Sequence, residues 1–336
     1  MIYFLVERKA MITMTKVDLI TGMLGSGKTT FIRKYAQYHL NKGRRIAILL
    51  NDYGAVNIDM VMLKDLECDR CEVAMVVGGA DADCHKRRFK TQLINLGMQH
   101  FDRVIIEPSG IFDMDEYSDT LYESPLDRWF EKGTVITVAD PFTDDELSDE
   151  IKFITGSECA CCGSLVVSKL TGAEDTSVYT NLLERLNSSL EFIKCKRRFT
   201  EEDLISKPWD ELTDDDLEKI SSSGYRNESY IKLFNRDTLS TGVHYFMHIH
   251  IPEDQITPLV KDIFTDHACG KIYRIKGSLK AGNGSWLRIN ATPSAVSVTP
   301  ASDGQAVLIV IGDSLNLSAI NSHILPLNSD TEYVSI

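Results

Sequence analysis

The sequence predicts an α/β protein, with a mainly parallel sheet covered by helices on both faces and a smaller C-terminal α+β domain after it. Three observations carry this. Short apolar runs alternate with helical stretches from Lys16 to Ser168. A glycine-rich turn, Gly22-Met-Leu-Gly-Ser-Gly-Lys-Thr-Thr30, joins the first apolar run to the first helix. From about Gly242 the pattern changes to closely spaced strand-like runs. Strands that alternate with helices form parallel sheets, whose ligands sit at the carboxyl ends of the strands.

The elements follow in order. Lys16-Val-Asp-Leu-Ile-Thr21 is a β-rich run, and Thr30 to Leu40 reads as a helix that Asn41-Lys-Gly43 stops. Arg45-Ile-Ala-Ile-Leu-Leu-Asn51 is apolar throughout, as a strand buried on both faces must be. A helix is expected over Lys86–His100, a strand over Asp102–Glu107 and a helix over Asp113–Phe130. Thr134–Ala139 and Leu165–Ser168 are two further strands. Each strand ends in a polar residue: Asn51-Asp52, Glu107, Asp140 and Ser168-Lys169. Residues 197–241 are acidic and polar and read as a linker with short helices. After it come strands near Tyr245–Ile251, Lys271–Leu279, Ser285–Asn290, Ala295–Thr299 and Ala306–Ile311, with helices over Glu253–Thr265 and from about Leu315. The expected division is an extension over 1–13, a nucleotide domain over 14–196, the linker over 197–241 and the α+β domain over 242–336.

A chain of 336 residues suits two domains. No run reaches the roughly 18 apolar residues a membrane helix needs, and Met1–Val6 is followed at once by charge, unlike a secretory signal. The expectation is a cytoplasmic protein with no membrane partner. The net charge of −13 and the shortness of the basic clusters Lys86-Arg87-Arg88 and Lys194–Arg198 speak against a nucleic-acid partner. Eight cysteines in such a chain point to metal or redox chemistry before structural disulfides.

The turn fits G-x-x-x-x-G-K-[ST] through Gly22, Gly27, Lys28 and Thr29. Its backbone amides, including those of Gly25, Ser26 and Thr30, would cradle phosphates at the positive end of the following helix. Lys28 would reach the β- and γ-phosphates and Thr29 would ligate Mg²⁺. Glu107-Pro-Ser-Gly110 supplies a carboxylate at a strand end, to orient water or the Mg²⁺ shell, and a Gly110 amide for the γ-phosphate.

These motifs resemble those of the CobW-like metallochaperone GTPases, relatives of the urease and hydrogenase accessory GTPases. Gly22–Thr30 matches their phosphate loop, Asn51-Asp-Tyr-Gly54 with Ile58-Asp59 their first switch, and Glu107-Pro-Ser-Gly110 their Glu-x-x-Gly. Arg274-Ile-Lys-Gly277, Trp286–Asn290 and Ile309-Val-Ile-Gly312 are similar to their C-terminal domain. The resemblance implies GTP and Mg²⁺ as cofactors, with Asp52 completing the Mg²⁺ shell and Zn²⁺ or Co²⁺ as cargo. It also implies a client metalloenzyme or cofactor-assembly protein as partner, and leaves a homodimer open. Turnover is expected to be slow, because no arginine finger is evident in the loop.

Two departures stand out. The guanine-reading Asn-Lys-x-Asp is replaced by Ser168-Lys169-Leu170-Thr171, and one hydroxyl cannot accept both guanine hydrogen bonds, so ATP stays open as a substrate. The family's Gly-Cys-x-Cys-Cys is replaced by Gly79-Ala-Asp-Ala-Asp-Cys84. Three other places offer metal ligands. They are Cys68, Cys71, Cys84 and His85, a set of Zn²⁺-type donors; Cys159-Ala-Cys-Cys162; and His244, His248 and His250 on one strand face. Two alternatives to a hydrolase remain: a nucleotide-gated scaffold for a corrinoid or metalloenzyme partner, and a small-molecule kinase.

Overall fold

The computed structural model describes residues 14–23, 25–51, 58–76, 82–108, 114–143, 147–234, 241–293, 295–301 and 304–335. In chain order the first part holds β1 (Thr15–Thr21), α1 (Lys28–Asn41), β2 (Ile46–Asn51), α2 (Ile58–Leu63), β3 (Cys71–Val76), α3 (Ala82–Gly97), β4 (Arg103–Glu107) and α4 (Met114–Tyr122). It continues through β5 (Phe130–Ala139), α5 (Asp149–Cys161), β6 (Ser164–Val167), α6 (Thr176–Phe192), β7 (Leu204–Ile205) and α7 (Asp214–Ser221). All seven strands pair in parallel, in the order β3-β2-β4-β1-β5-β6-β7.

Period-two alternation splits the apolar strands between two cores. Val17, Leu19, Leu49, Val104 and Ile106 pack on Phe89, Leu93, Tyr117 and Leu186 on one face. Ile20, Ile48, Ile105 and Val166 pack on Phe31, Ile32 and Tyr35 of α1 on the other. Each such side chain contributes roughly 1.5–3 kcal/mol by leaving water. Asp18, fully buried in β1, accepts from Arg103 of β4, from the Tyr35 hydroxyl (2.9 Å) and from the Thr134 amide (2.9 Å), which pins three strands and α1 together.

Three expectations change. The helix foreseen over Asp113–Phe130 stops at Tyr122, because Pro125 and a 3₁₀ turn over Leu126–Arg128 interrupt it and Phe130 already belongs to β5. β3 was not foreseen. The acidic segment is not a free linker, since β7 extends the sheet beside β6 and Leu212, Leu217 and Ile220 join the α1-side core.

The second part contains β8 (Thr241–Met247), α8 (Glu253–Thr265), β9 (Lys271–Lys280), β10 (Trp286–Thr292), β11 (Ala295–Ala301), β12 (Val307–Asp313), α9 (Leu317–Ile324) and β13 (Val334–Ser335). Its strands form an antiparallel sheet in the order β11-β10-β9-β12-β8-β13. α8 and α9 cover one face through Ile256, Leu259, Val260, Ile263, Ile320 and Ile324. The other face carries Tyr245, Val307, Ile309 and Ile311. Arg274 lies directly across from Ile311 and so projects on that same face. Among the described residues no helix is long and apolar enough to cross a membrane.

Candidate functional site

Between β1 and α1 the chain takes the shape the glycines permit. Gly22, Gly25 and Gly27 all have positive φ, at 133°, 86° and 99°. A Cβ on Gly22 would collide with the carbonyl of Val138, and one on Gly27 would stand 2.9 Å from the ring of Trp209. α1 starts at Lys28 with no acidic residue in its first turn, so its positive end keeps its attraction for anions.

The ammonium of Lys28 donates to the carbonyls of Gly22 (2.8 Å) and Met23 (3.2 Å), across the mouth of the turn. β1 and β4 are hydrogen-bonded neighbours, which brings their carboxyl ends together. The Thr29 hydroxyl consequently donates to both carboxylate oxygens of Glu107, at 3.2 and 3.0 Å. A hydroxyl and a carboxylate in contact beside a phosphate loop are hard oxygen donors of the kind Mg²⁺ takes. Ser26 is buried, and its hydroxyl has no hydrogen-bond partner among the described residues. Thr30 is exposed at the third position of α1. Asp52 and Gly110, expected at this site, lie outside the described residues, as do Tyr53, Gly54 and Gly79–Asp81; of Asp59 and Asp83 only the backbone is described.

Three residues at the loop were not foreseen as members of the site. Glu158 of α5 is buried beneath it and accepts from the Gly22 amide; burial pushes its carboxyl up to about 7, against the opposing pull of Lys28. Trp209 packs its ring on Phe31 and donates its indole N–H to the carbonyl of Val167 (3.1 Å). Arg274 reaches over from the second sheet. A Cβ on Gly25 would lie 3.0 Å from its Cδ and 3.1 Å from its Nη1. Its Nε and Nη2 donate to Asn290 at 3.0 and 2.8 Å, which orients the guanidinium. Sequence spacing gives no hint of a contact across some 250 residues.

The side expected to read the base is differently arranged. Ser168 is buried and donates to the carbonyl of Ala139 (3.2 Å). Lys169, in a left-handed conformation (φ 59°), forms an ion pair with Asp140. The Thr171 amide and hydroxyl and the Gly172 amide all donate to Glu174, at 2.5, 2.7 and 3.0 Å.

The cysteine and histidine sets fare unequally. All eight cysteines are free thiols. Cys68 and Cys71 pair through their backbones in a tight turn, and burial pushes the Cys71 thiol up to about 12. His85 is buried, with Nε2 2.6 Å from Oδ1 of Asn51, and burial beside Arg88 lowers its pKa to about 4. Among the described residues Cys68, Cys71, Cys84 and His85 do not converge on one point. Cys159 and Cys162 are buried at the end of α5, where Arg197 caps the carbonyls of Cys159, Ala160 and Cys162. The three histidines do not line one strand, since β8 ends at Met247 and His248 turns to φ 56°.

A glycine-rich turn, its lysine, a helix start and a strand-end carboxylate on the loop's threonine define a P-loop nucleotide-binding protein. The chain belongs to the CobW/HypB/UreG family, whose nucleotide-binding domain matches residues 16–196. It is similar to the zinc chaperone YeiR of Escherichia coli (strain K12), at 32% identity over 129 residues, or 38% of each chain. It is also similar to the zinc chaperone YjiA of the same organism, at 26% over 182 residues, or 51% of this chain and 54% of that one. The chain thus spans about half or less of the length of these two relatives. The crystal structure of Zn(II)-bound YjiA GTPase from E. coli aligns over 94% of this chain and 100% of that chain, at 16% identity and a TM-score of 0.34.

Proposed function

We propose that this protein hydrolyses a nucleoside triphosphate, GTP by its family, and couples the cycle to carrying a transition metal ion to a client protein. The observation that carries the reading is the contact of Thr29 with Glu107 at the mouth of the loop that Lys28 spans. On binding, Lys28 would exchange two carbonyl partners for β- and γ-phosphate oxygens. The amides of Gly25 to Thr30 and the α1 terminus would take the remaining phosphate charge. Thr29 and Glu107 would hold Mg²⁺, which supplies charge neutralisation at the phosphates. Glu107 would also orient the attacking water, and Asp52 would complete the Mg²⁺ shell as the family pattern implies.

Arg274 gives the second domain a part in this. Its guanidinium at Gly25 would meet charge developing on the phosphates, the work of an arginine finger supplied within the chain. Nucleotide state would thereby reach the second sheet, where a client docks. The base side supports weak discrimination, because Lys169 and Thr171 are closed onto carboxylates of the protein.

Phosphate release with GTP and ATP by wild type and Lys28→Ala tests the reading. Lys28-dependent release supports a hydrolase. Binding without release would leave the nucleotide-gated scaffold, and release that survives in Lys28→Ala would remove the loop from the mechanism.

A further inference from the structure

We infer that Asp266, Cys269 and His323 form a divalent transition-metal site on the helical side of the second sheet, of the class that takes Zn²⁺ or Co²⁺. The inference rests on the metal-carrying reading for its purpose, while its chemistry stands on these residues alone. Their ligand atoms all lie within 4.8 Å of one another, the one such trio of His, Cys, Asp or Glu among the described residues.

Two separate elements bring them together, the turn after α8 and the end of α9. Asp266 follows α8 and opens a 3₁₀ turn over His267–Cys269, with its carboxylate accepting from the Ala268 amide at 2.9 Å. Cys269 closes that turn and is fully buried. His323 comes from the last turn of α9, whose negative end favours a cation. The frame is tied down. The Asn316 amide at the start of α9 donates to the Cys269 carbonyl (3.1 Å). Gly270, at φ 96°, lies so close to Ser314 that a Cβ would come 2.5 Å from its carbonyl oxygen.

The donors match the ion. Thiolate, imidazole and carboxylate bind Zn²⁺ at roughly 2.0–2.3 Å, which sets neighbouring ligand atoms about 3.3–3.8 Å apart. The trio, with its ligand atoms all within 4.8 Å of one another, is near that spacing. Without an ion, the Asp266 carboxylate takes its place as common acceptor. His323 Nε2 donates to it at 2.8 Å, and this holds the carboxyl below its usual range. Burial and that negative charge push the Cys269 thiol up to about 11. An arriving cation reverses the balance. It displaces the thiol proton to solvent, and His323 and Asp266 give up their mutual hydrogen bond for two metal bonds, the Nε2 proton of His323 passing to Nδ1 or to solvent.

Three protein ligands leave the fourth tetrahedral position open, and the side chains of His323 and Asp266 are 24% and 37% exposed. An open position at the surface suits an ion that is handed on. The cysteines of the first domain do not offer this, being dispersed or sealed in the core.

The test is titration of the full-length protein with Co²⁺, read by visible absorption. Wild type is expected to bind one equivalent with a thiolate-to-cobalt band. Cys269→Ser should abolish that band, and His323→Ala should weaken binding by at least about tenfold, with phosphate release unchanged in both. A Cys68→Ser/Cys71→Ser/Cys84→Ser variant should keep the band. Should Cys269→Ser fail to fold, His323→Ala carries the same readout from a half-exposed position. A band that survives in Cys269→Ser, wild-type affinity in His323→Ala, or a band lost with the three first-domain cysteines would overturn the assignment. A normal cobalt band in a protein without phosphate release would overturn the hydrolase reading and leave this site standing.

Discussion

At the loop end of the cleft, Lys28 leans on two carbonyl oxygens and the Ser26 hydroxyl is buried without a partner among the described residues. At the β6 end, Lys169 is paired with Asp140, and Thr171 and Gly172 are gathered onto Glu174. Trading a carbonyl for a phosphate oxygen gains charge attraction, whereas trading a carboxylate for a purine edge loses it. The first end is thus arranged to receive an anion and the second to hold itself together. Binding energy should come from the phosphates and little of it from the base.

The sharpest way to break this contrast is Lys28→Ala. Removing that ammonium should lower phosphate release by about 10³-fold, while Lys169→Ala should change it far less; equal effects in steady-state assays would erase the distinction. Next in size is Glu158, whose carboxyl ionises at about 7 in the folded chain, well above its free value of 4.5. The folded state holds that proton more tightly, so stability is greatest below pH 4.5 and declines as the pH rises through 7. Glu158→Gln should therefore raise stability by up to about 3 kcal/mol at pH 8 and leave it nearly unchanged at pH 4, as thermal melts at the two pH values will show.

Arg274→Ala extends the contrast to the second domain. A drop in kcat of about 10²-fold is expected, with partial recovery in Arg274→Lys and an unaltered melting temperature. A fall in stability with kcat intact would make Arg274 a packing residue. The smallest effect concerns the base itself. GTP should be preferred over ATP by no more than about tenfold in titrations followed by Trp209 fluorescence, since a site without free acceptors discriminates poorly.

The phosphate end was legible in the chain because its parts are contiguous: three glycines, a lysine and a threonine within nine residues, between an apolar run and a helix. Glu107 was legible because an apolar strand ends on it. The helix over Glu253–Thr265 was equally plain, with Ile256, Leu259, Val260 and Ile263 on one face. β3 was hidden because this edge strand mixes buried and half-buried positions without a clean alternation, and its first residue, Cys71, read as a metal ligand. The acidic run over Thr213–Glu218 concealed that α7, one of the short helices expected there, joins the core through Leu217 and Ile220.

By itself the sequence determined the phosphate loop, the parallel sheet behind it and the smaller α+β domain after it, because local spacing and period-two apolarity suffice for each. Only the tertiary structure decided that Glu158 lies under the loop, that Arg274 reaches it from the other sheet, and that Cys269 meets Asp266 and His323 while, among the described residues, Cys68, Cys71, Cys84 and His85 do not converge. Those neighbours are set by how helices and sheets pack across long stretches of chain, and separation along the sequence carries no record of that distance.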